Sequence, residues 1–251
     1  MKNPLSGFQD ALSFLTVLPT SRAGQNLQAS ERMKQAMVWF PLVGALLGAV
    51  TAGAIWTGSR WWPLDLSSLL GVAIAAVVTG GLHLDGFCDT VDGLGAWKGP
   101  EETLAIMRDS RIGALAAVGL FLLLAAKWIL FQRSALDGMA RILVATGGLS
   151  RWSLVCSSQL FRYVPGHSGL GRLATEARST RLLTITTLVS WLLAAVCLGP
   201  ARGTLSIAVS AAVTWGFNRL IQARLGGITG DTLGAVAEVV EVILLGALVV
   251  R

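Results

Sequence analysis

Apolar and polar positions along this chain alternate on the scale of whole helices rather than single turns. Apolar runs of roughly 17–25 residues, the length needed to cross hydrocarbon, recur from one end to the other. They predict seven spans, at 36–56, 66–84, 112–131, 139–160, 182–199, 204–222 and 233–250. The expected fold is therefore all-α, a polytopic transmembrane helix bundle of six to eight spans forming one integral-membrane domain over 1–251. The first twenty residues carry Asp10 and are too polar to span. LSGFQDALSFLTVLP is expected to lie in the interface or to re-enter partway.

Composition agrees with that pattern. The chain is 53% hydrophobic and 14% charged, where a soluble domain carries about 25% charged residues. The start lacks a small-residue cleavage site, so no signal peptide is expected. Cys88, Cys156 and Cys197 are scattered and odd in number, which argues against a disulfide framework or a thiolate metal site. The net charge of +6 comes from basic residues dispersed between apolar runs rather than gathered in a stripe, so no nucleic-acid partner is expected.

The dispersal of those basic residues predicts orientation, because short cytoplasmic connections are enriched in Lys and Arg. Alternate connections hold Lys2, Arg22, Arg32 and Lys34; Lys98, Arg108 and Arg111; Arg162, Arg172, Arg178 and Arg181; and Arg219 and Arg224, thirteen in all. The opposite set holds five: Arg60, Arg133, Arg141, Arg202 and Arg251. The N-terminus is expected in the cytoplasm. A faint echo between Gly80-Gly81 with Asp89-Thr90 and Gly226-Gly227 with Asp231-Thr232 reads as coincidence.

The chemistry concentrates in TGGLHLDGFCDTVDGLGAW, residues 79–97. Spacings of four and seven put Asp85, Asp89 and Asp92 on one helix face, within about 60° of arc and roughly 10 Å of rise. Three carboxylates at a membrane edge repel one another unless a cation offsets them. All-oxygen ligation favours Mg²⁺ or Mn²⁺ over Zn²⁺. Gly86 and Gly93 leave room for a phosphate or a neighbouring backbone, and His83 is a candidate donor beside the cluster.

Three more segments join it. Residues 101–116 place Arg108, Asp109 and Arg111 before a span; arginine forks match phosphate oxygens, and Asp109 offers a further metal ligand. GGITGDTLGAVAEVVEVILL carries Asp231, Glu238 and Glu241. The two glutamates lie inside an apolar run, so they need a cation, a polar interior or an arginine partner such as Arg151. The loop over residues 161–181 combines Gly166, Gly169 and Gly171 with His167, Arg172 and Arg178, a candidate anion cradle. This inventory points to metal-dependent phosphoryl-type transfer at a membrane surface. There is no G-x-x-x-x-G-K-[ST] loop and no G-x-S-x-G elbow. Two other readings stand beside it: a CDP-alcohol phosphotransferase, and a cation transporter using Asp231, Glu238 and Glu241.

At GGLHLDGFCDTVDGL, IMRDSRIGALA and GGITGDTLGAVAEVVE the chain resembles the cobalamin (5′-phosphate) synthases, or adenosylcobinamide-GDP ribazoletransferases. Weaker likeness at FLTVLP (14–19), FPLVGALLGA (40–49) and GLGRL (169–173) extends the resemblance over essentially the whole chain. The visible departures, Cys88 and the Ala-Trp at 96–97, touch no carboxylate. The resemblance implies a Mg²⁺-dependent, multi-pass enzyme of the bacterial inner membrane, its active site facing the cytoplasm. Such an enzyme joins adenosylcobinamide-GDP to α-ribazole or its 5′-phosphate and releases GMP. On that footing Asp85, Asp89 and Asp92, with Asp109, are expected to hold Mg²⁺, and Arg108 and Arg111 to stabilise negative charge. Asp92 or Asp231 is the expected base. Asp231, Glu238 and Glu241 complete a second metal site or orient the nucleophile. His83, Gly86, Gly93, Arg172, Glu238 and Glu241 are the candidate substrate contacts. Besides its small-molecule substrates and the lipid bilayer, the partners considered are a second copy of the chain and other nucleotide-loop assembly enzymes.

Overall fold

The computed structural model describes residues 4–18, 29–135, 138–165 and 170–249. Among these, every regular element is a helix. In chain order they are α1 (Pro4–Leu15), α2 (Ala29–Met37), α3 (Phe40–Gly58), α4 (Leu64–Val78), α5 (Leu82–Gly95), α6 (Pro100–Ile106), α7 (Ala114–Ser134), α8 (Met139–Leu160), α9 (Leu170–Glu176), α10 (Thr180–Leu198), α11 (Pro200–Leu225) and α12 (Gly230–Val249). His167, Gly166 and Gly169 of the proposed anion cradle lie outside the described residues.

Four helices, α3, α7, α10 and α12, are long and apolar enough to cross a membrane. Large apolar side chains on α7 and α10, among them Phe121, Leu122, Leu188 and Val196, face outward, as lipid contact requires. Seven spans were expected; four, or five if α4 and α5 are counted together, meet the test of length and composition. The difference has a physical cause. α8 and α11 have 22 and 26 residues, ample to span, but they are diluted by serine, threonine and asparagine. Those groups point into the bundle. Ser150, Ser153, Ser157 and Ser158 of α8 are buried, as are Ser206, Ser210, Thr214 and Asn218 on one face of α11. Ser150 Oγ donates to the Ala237 carbonyl at 2.8 Å, and Asn218 Nδ2 donates to Ser157 Oγ at 2.7 Å. Polar residues that bond across helices need no water, but they lower the apolar signal by which a span is recognised.

α8 is the centre of the bundle and packs against α3, α10, α11 and α12. Its approach to α3 depends on glycines: a Cβ at Gly48 would lie 2.0 Å from the Leu143 carbonyl oxygen, and one at Gly44 2.2 Å from that of Gly147. Here two backbones touch with no side chain between them, the close contact that small residues permit in membranes.

The expected second span, 66–84, breaks. α4 ends in a glycine-capped turn: Gly80 adopts a left-handed φ of 61°, its N–H donates to Val77 O, and the Gly81 N–H donates to Ala76 O. α5 then departs at 89° to α4. α11 ends alike at Gly226, φ 76°, and hands over to α12. The two helices that follow these turns, α5 and α12, pack directly against each other. The echo between 80–90 and 226–232, read from sequence as coincidence, thus joins two segments that meet in space.

Candidate active site

Two cavities open beside the crossing of α5 and α12. At that crossing a Cβ on Gly86 would stand 2.7 Å from the Asp231 carbonyl oxygen, and one on Gly234 would stand 3.2 Å from the His83 Cα. Glycine at 86 is therefore what lets the first residues of α12, Asp231 included, reach the acidic face of α5. The electrostatic neighbours of the Asp89 carboxylate are Asp85, then Asp231, then Asp92. The helix expected through Asp85, Asp89 and Asp92 is present, and the fold adds a fourth carboxylate from a segment some 140 residues away in sequence.

The first cavity, of about 570 Å³, is mostly apolar, with Phe14, Met37, Phe40, Leu104, Leu154 and Leu233 among its walls. Asp10, His83, Asp85, Arg108, Tyr163 and Asp231 are among its polar residues. The second, of about 860 Å³, is lined by Asp85, Asp89, Asp92, Arg108, Asp109, Ser110 and Arg111. Phe14, Leu82, Asp85, Met107 and Arg108 line both. One carboxylate and one guanidinium thus stand where an apolar chamber adjoins a polar one. The volumes fall in the range of small-molecule sites, about 300–1,000 Å³.

The individual candidates divide as follows. Asp92 accepts hydrogen bonds from the backbone N–H of Gly113 at 2.6 Å and of Ala116 at 2.9 Å. These are unpaired amides of the first turn of α7, so both of its carboxylate oxygens serve as a cap supplied by another helix. Asp109 is bound by Arg111 through its side-chain Nε at 3.0 Å, its Nη2 at 2.5 Å and its backbone N–H at 3.1 Å. Those bonds pull the Asp109 carboxyl down to about 2. Both residues stay at the rim of the polar cavity, but engaged with each other. Gly93 faces Met107, where a Cβ would meet Cγ at 2.5 Å, so it serves helix packing rather than a phosphate. Arg172 donates to Glu176 at 2.7 Å on the exposed side of α9. Its neighbour Gly171 lies against Tyr163 and Gly230 and brings α9 up to the start of α12.

Glu238 and Glu241 are the clearest departure from expectation. They face Lys127 and Arg151 inside the bundle rather than either chamber. Lys127 Nζ lies 2.5 Å from Glu238 and 3.5 Å from Glu241, and Arg151 Nη1 donates to Glu241 at 2.9 Å. Two anions meet two cations, all buried. Pairing offsets most of the cost of burying these four charges, and the glutamates face cations of the protein rather than an ion site. The sequence offered Arg151 as a partner for these glutamates, and it is one; it could not offer Lys127, which reads as one stray cation within an apolar run.

Sequence reasoning also missed Tyr163 and Asp10. Tyr163 is the chain's one tyrosine. Residues 162–164 pair backbone to backbone with Ile228: the Val164 N–H donates to Ile228 O at 3.0 Å and the Ile228 N–H to Arg162 O at 2.8 Å. That pairing sets the ring beside Gly230, and burial raises the phenol's pKa. Asp10 of α1 lines the apolar chamber and is held by Arg32 of α2 at 2.5 Å. Only the lone aromatic hydroxyl in a glycine-bearing loop gave any advance signal.

Among the described residues no three carboxylate, imidazole or thiol groups converge on one point, so the chain does not form a closed metal cage. Mg²⁺ does not ask for one; it keeps several waters and takes one or two carboxylates plus substrate phosphates. Asp85 and Asp89, oxygen donors on one face of α5, fit that requirement, with Asp231 an electrostatic neighbour of Asp89.

The family model for cobalamin-5-phosphate synthase matches residues 7–249. The adenosylcobinamide-GDP ribazoletransferase of Klebsiella pneumoniae (strain 342) is 35% identical over 247 residues, 97% of this chain and 99% of that protein. The proteins of the same name from Shigella boydii serotype 4 (strain Sb227) and Escherichia coli O17:K52:H18 (strain UMN026 / ExPEC) are each 33% identical over 243 residues, 96% of this chain and 98% of theirs. No solved structure matches. With residues 7–249 matched by the family model and relatives 33–35% identical over nearly the whole chain, this chain belongs to the cobalamin-5-phosphate synthase family.

Proposed function

We propose that this protein joins adenosylcobinamide-GDP to α-ribazole or its 5′-phosphate, in a Mg²⁺-dependent reaction that releases GMP. The observation that carries the reading is the wall shared by the two chambers. A reaction between two large substrates needs their reacting atoms brought together from separate sites, and Asp85 and Arg108 stand at such a meeting point.

Asp85 and Asp89, on one face of α5, would hold Mg²⁺, beside Asp231 across the helix crossing. Bound there, the ion would neutralise charge on the pyrophosphate of adenosylcobinamide-GDP. Arg108 faces the same phosphates and stabilises the negative charge that gathers on them and on departing GMP. The ribose 3′-hydroxyl of the acceptor attacks the phosphorus that bears cobinamide. A bond forms from that oxygen to phosphorus, the bond from phosphorus to the GMP oxygen breaks, and the hydroxyl proton passes to a carboxylate. Asp231 is our choice for that base over Asp92, because Asp92 already accepts two backbone hydrogen bonds, whereas Asp231 lines the acceptor-sized chamber. Asp92 instead fixes α7 against α5, and so positions the face that Asp85 and Asp89 share.

The sidedness read from charge belongs to the same proposal: inner membrane, with both chambers open to the cytoplasm. In support, Arg108 and Arg111, from one of the connections rich in basic residues, line the polar chamber.

The deciding assay supplies adenosylcobinamide-GDP and α-ribazole 5′-phosphate to the detergent-purified protein, with Mg²⁺ or with excess EDTA. We expect GMP and cobamide in equal amounts, and only with Mg²⁺. GMP formation undiminished by EDTA would remove the metal from the reading. CMP release from a CDP-alcohol, with no GMP from the proposed pair, would replace the substrate assignment.

A further inference from the structure

The buried quartet of Lys127, Arg151, Glu238 and Glu241 borders a third, much smaller cavity of about 30 Å³, between α3, α4, α7, α8 and α12. Thr51 and Thr79 add hydroxyl-bearing side chains to its wall. The ion pairs leave one donor of the quartet unanswered. Arg151 Nη1 donates to Glu241 at 2.9 Å and to Ser150 Oγ at 3.3 Å. Its Nε is shielded from solvent and, among the described residues, bonded to no group of the protein. A buried donor on a charged group that finds no acceptor is costly. A ligand in the adjoining cavity that offers one acceptor removes the cost.

We infer that this cavity is an internal hydration site, in which one or two water molecules accept from Arg151 Nε and donate to the oxygens around them. Size, polarity and charge each select that occupant. A water needs about 10–15 Å³ of such space, so a cavity of about 30 Å³ takes one or two and nothing larger. It also needs two to four polar partners. The Thr51 hydroxyl donates to Leu47 O at 2.9 Å and the Thr79 hydroxyl to Ala75 O at 2.8 Å, so each oxygen keeps lone pairs with which to accept. The carboxylates of Glu238 and Glu241 accept as well. Charge then decides between water and an ion. The two cations and two anions of the quartet cancel, so a monovalent ion of either sign would bring an unbalanced charge into the bundle, and a neutral molecule does not. Thr79 and Leu84 line both this cavity and the polar chamber, which gives water its way in from the side of the acidic residues. The same site is expected whatever the substrates are.

The direct test is an experimental density map of the full chain, fine enough to show ordered water elsewhere in the bundle. We expect one or two peaks in the cavity, one of them within hydrogen-bond distance of Arg151 Nε. A cavity without density in such a map overturns the inference. So does anomalous signal at that place from crystals soaked in bromide or rubidium, which would make it an ion site. A second test reads stability and needs no map. Thr51→Val keeps the shape of the side chain and removes an acceptor. Thr186→Val is its control: the Thr186 hydroxyl makes the same bond to the carbonyl four residues back, Leu182 O at 2.9 Å, and is buried away from all three cavities. With water present, Thr51→Val should lower the melting temperature in detergent by about 2–4 °C more than Thr186→Val does, the effect of about one lost hydrogen bond. Equal melting temperatures, or a more stable Thr51→Val, would show a dry cavity and overturn the inference.

Discussion

The Gly113 amide donates to the Asp92 carboxylate at 2.6 Å, across twenty-one residues of sequence. Gly113 is the residue that caps α7 and has no side chain to do so, so a carboxylate on α5 completes that turn. Asp92→Asn therefore acts first on stability. We expect it to lower the protein by about 1–2 kcal/mol, the usual worth of an N-cap combined with a charge at a helix N-terminus, read as a fall in melting temperature in detergent. The Mg²⁺ concentration for half-maximal rate should not move. A tenfold rise in that concentration with an unchanged melting temperature would make Asp92 a ligand instead.

Asp85→Asn and Asp89→Asn should behave in the opposite way. Among the described residues these carboxylates accept no bond of that kind, so melting and membrane insertion should be preserved while turnover falls about a hundredfold or more. Near-normal GMP release by Asp89→Asn would dissolve the proposed metal site.

Gly86 is a packing residue with catalytic consequences. Gly86→Ala puts a Cβ at 2.7 Å from the Asp231 carbonyl oxygen, which forces α5 and α12 apart and pulls Asp231 away from Asp85 and Asp89. We expect loss of activity with helix content retained by circular dichroism. Gly246→Ala, also on α12, meets nothing within 4 Å and should retain activity. Equal activity of the two variants would show that the crossing does not set the site.

For the buried charge quartet the effect is thermodynamic. Glu241→Gln leaves Arg151 and Lys127 sharing one carboxylate, and losing one partner of a buried pair costs about 3–5 kcal/mol. Thermal unfolding should register that loss, while KM for both substrates stays within about twofold in whatever fraction folds. A selective KM change at full stability would return Glu241 to the substrate site.

The Asp109–Arg111 pair predicts an absence of pH effect in the working range. Arg111 holds the Asp109 carboxyl at about 2, below its ordinary 3.8. A depressed carboxylate contributes fully above its unfolded value and loses that contribution only as pH falls toward 2. Above about pH 4, then, the rate profiles of the parent and of Asp109→Asn should share the same acid limb. A displaced limb in that variant would mean that Asp109 titrates with substrate rather than with Arg111.

How much of this was legible in the sequence follows from the range of each interaction. Apolar length determined the membrane-crossing helices, because the bilayer's thickness acts on each segment independently. The D-x-x-x-D-x-x-D register determined one acidic face, because helical periodicity is local. Gly80-Gly81 marked a break, yet the 89° turn of α5 and its pairing with α12 depend on which backbones can touch, and that was decided at Gly86 and Gly234. Asp85, Asp89 and Asp92 are indistinguishable by residue type and spacing. Only the tertiary structure set Asp92 against the amides of α7 and left Asp85 on the wall between two chambers. Glu238 and Glu241 looked costly enough to be functional until Lys127 and Arg151 arrived from two other helices to neutralise them. Local pattern specified the helices, the apolar length of four of them and the face that carries charge. Long-range packing alone chose the partner of each charge, because a carboxylate's role depends on the group opposite it.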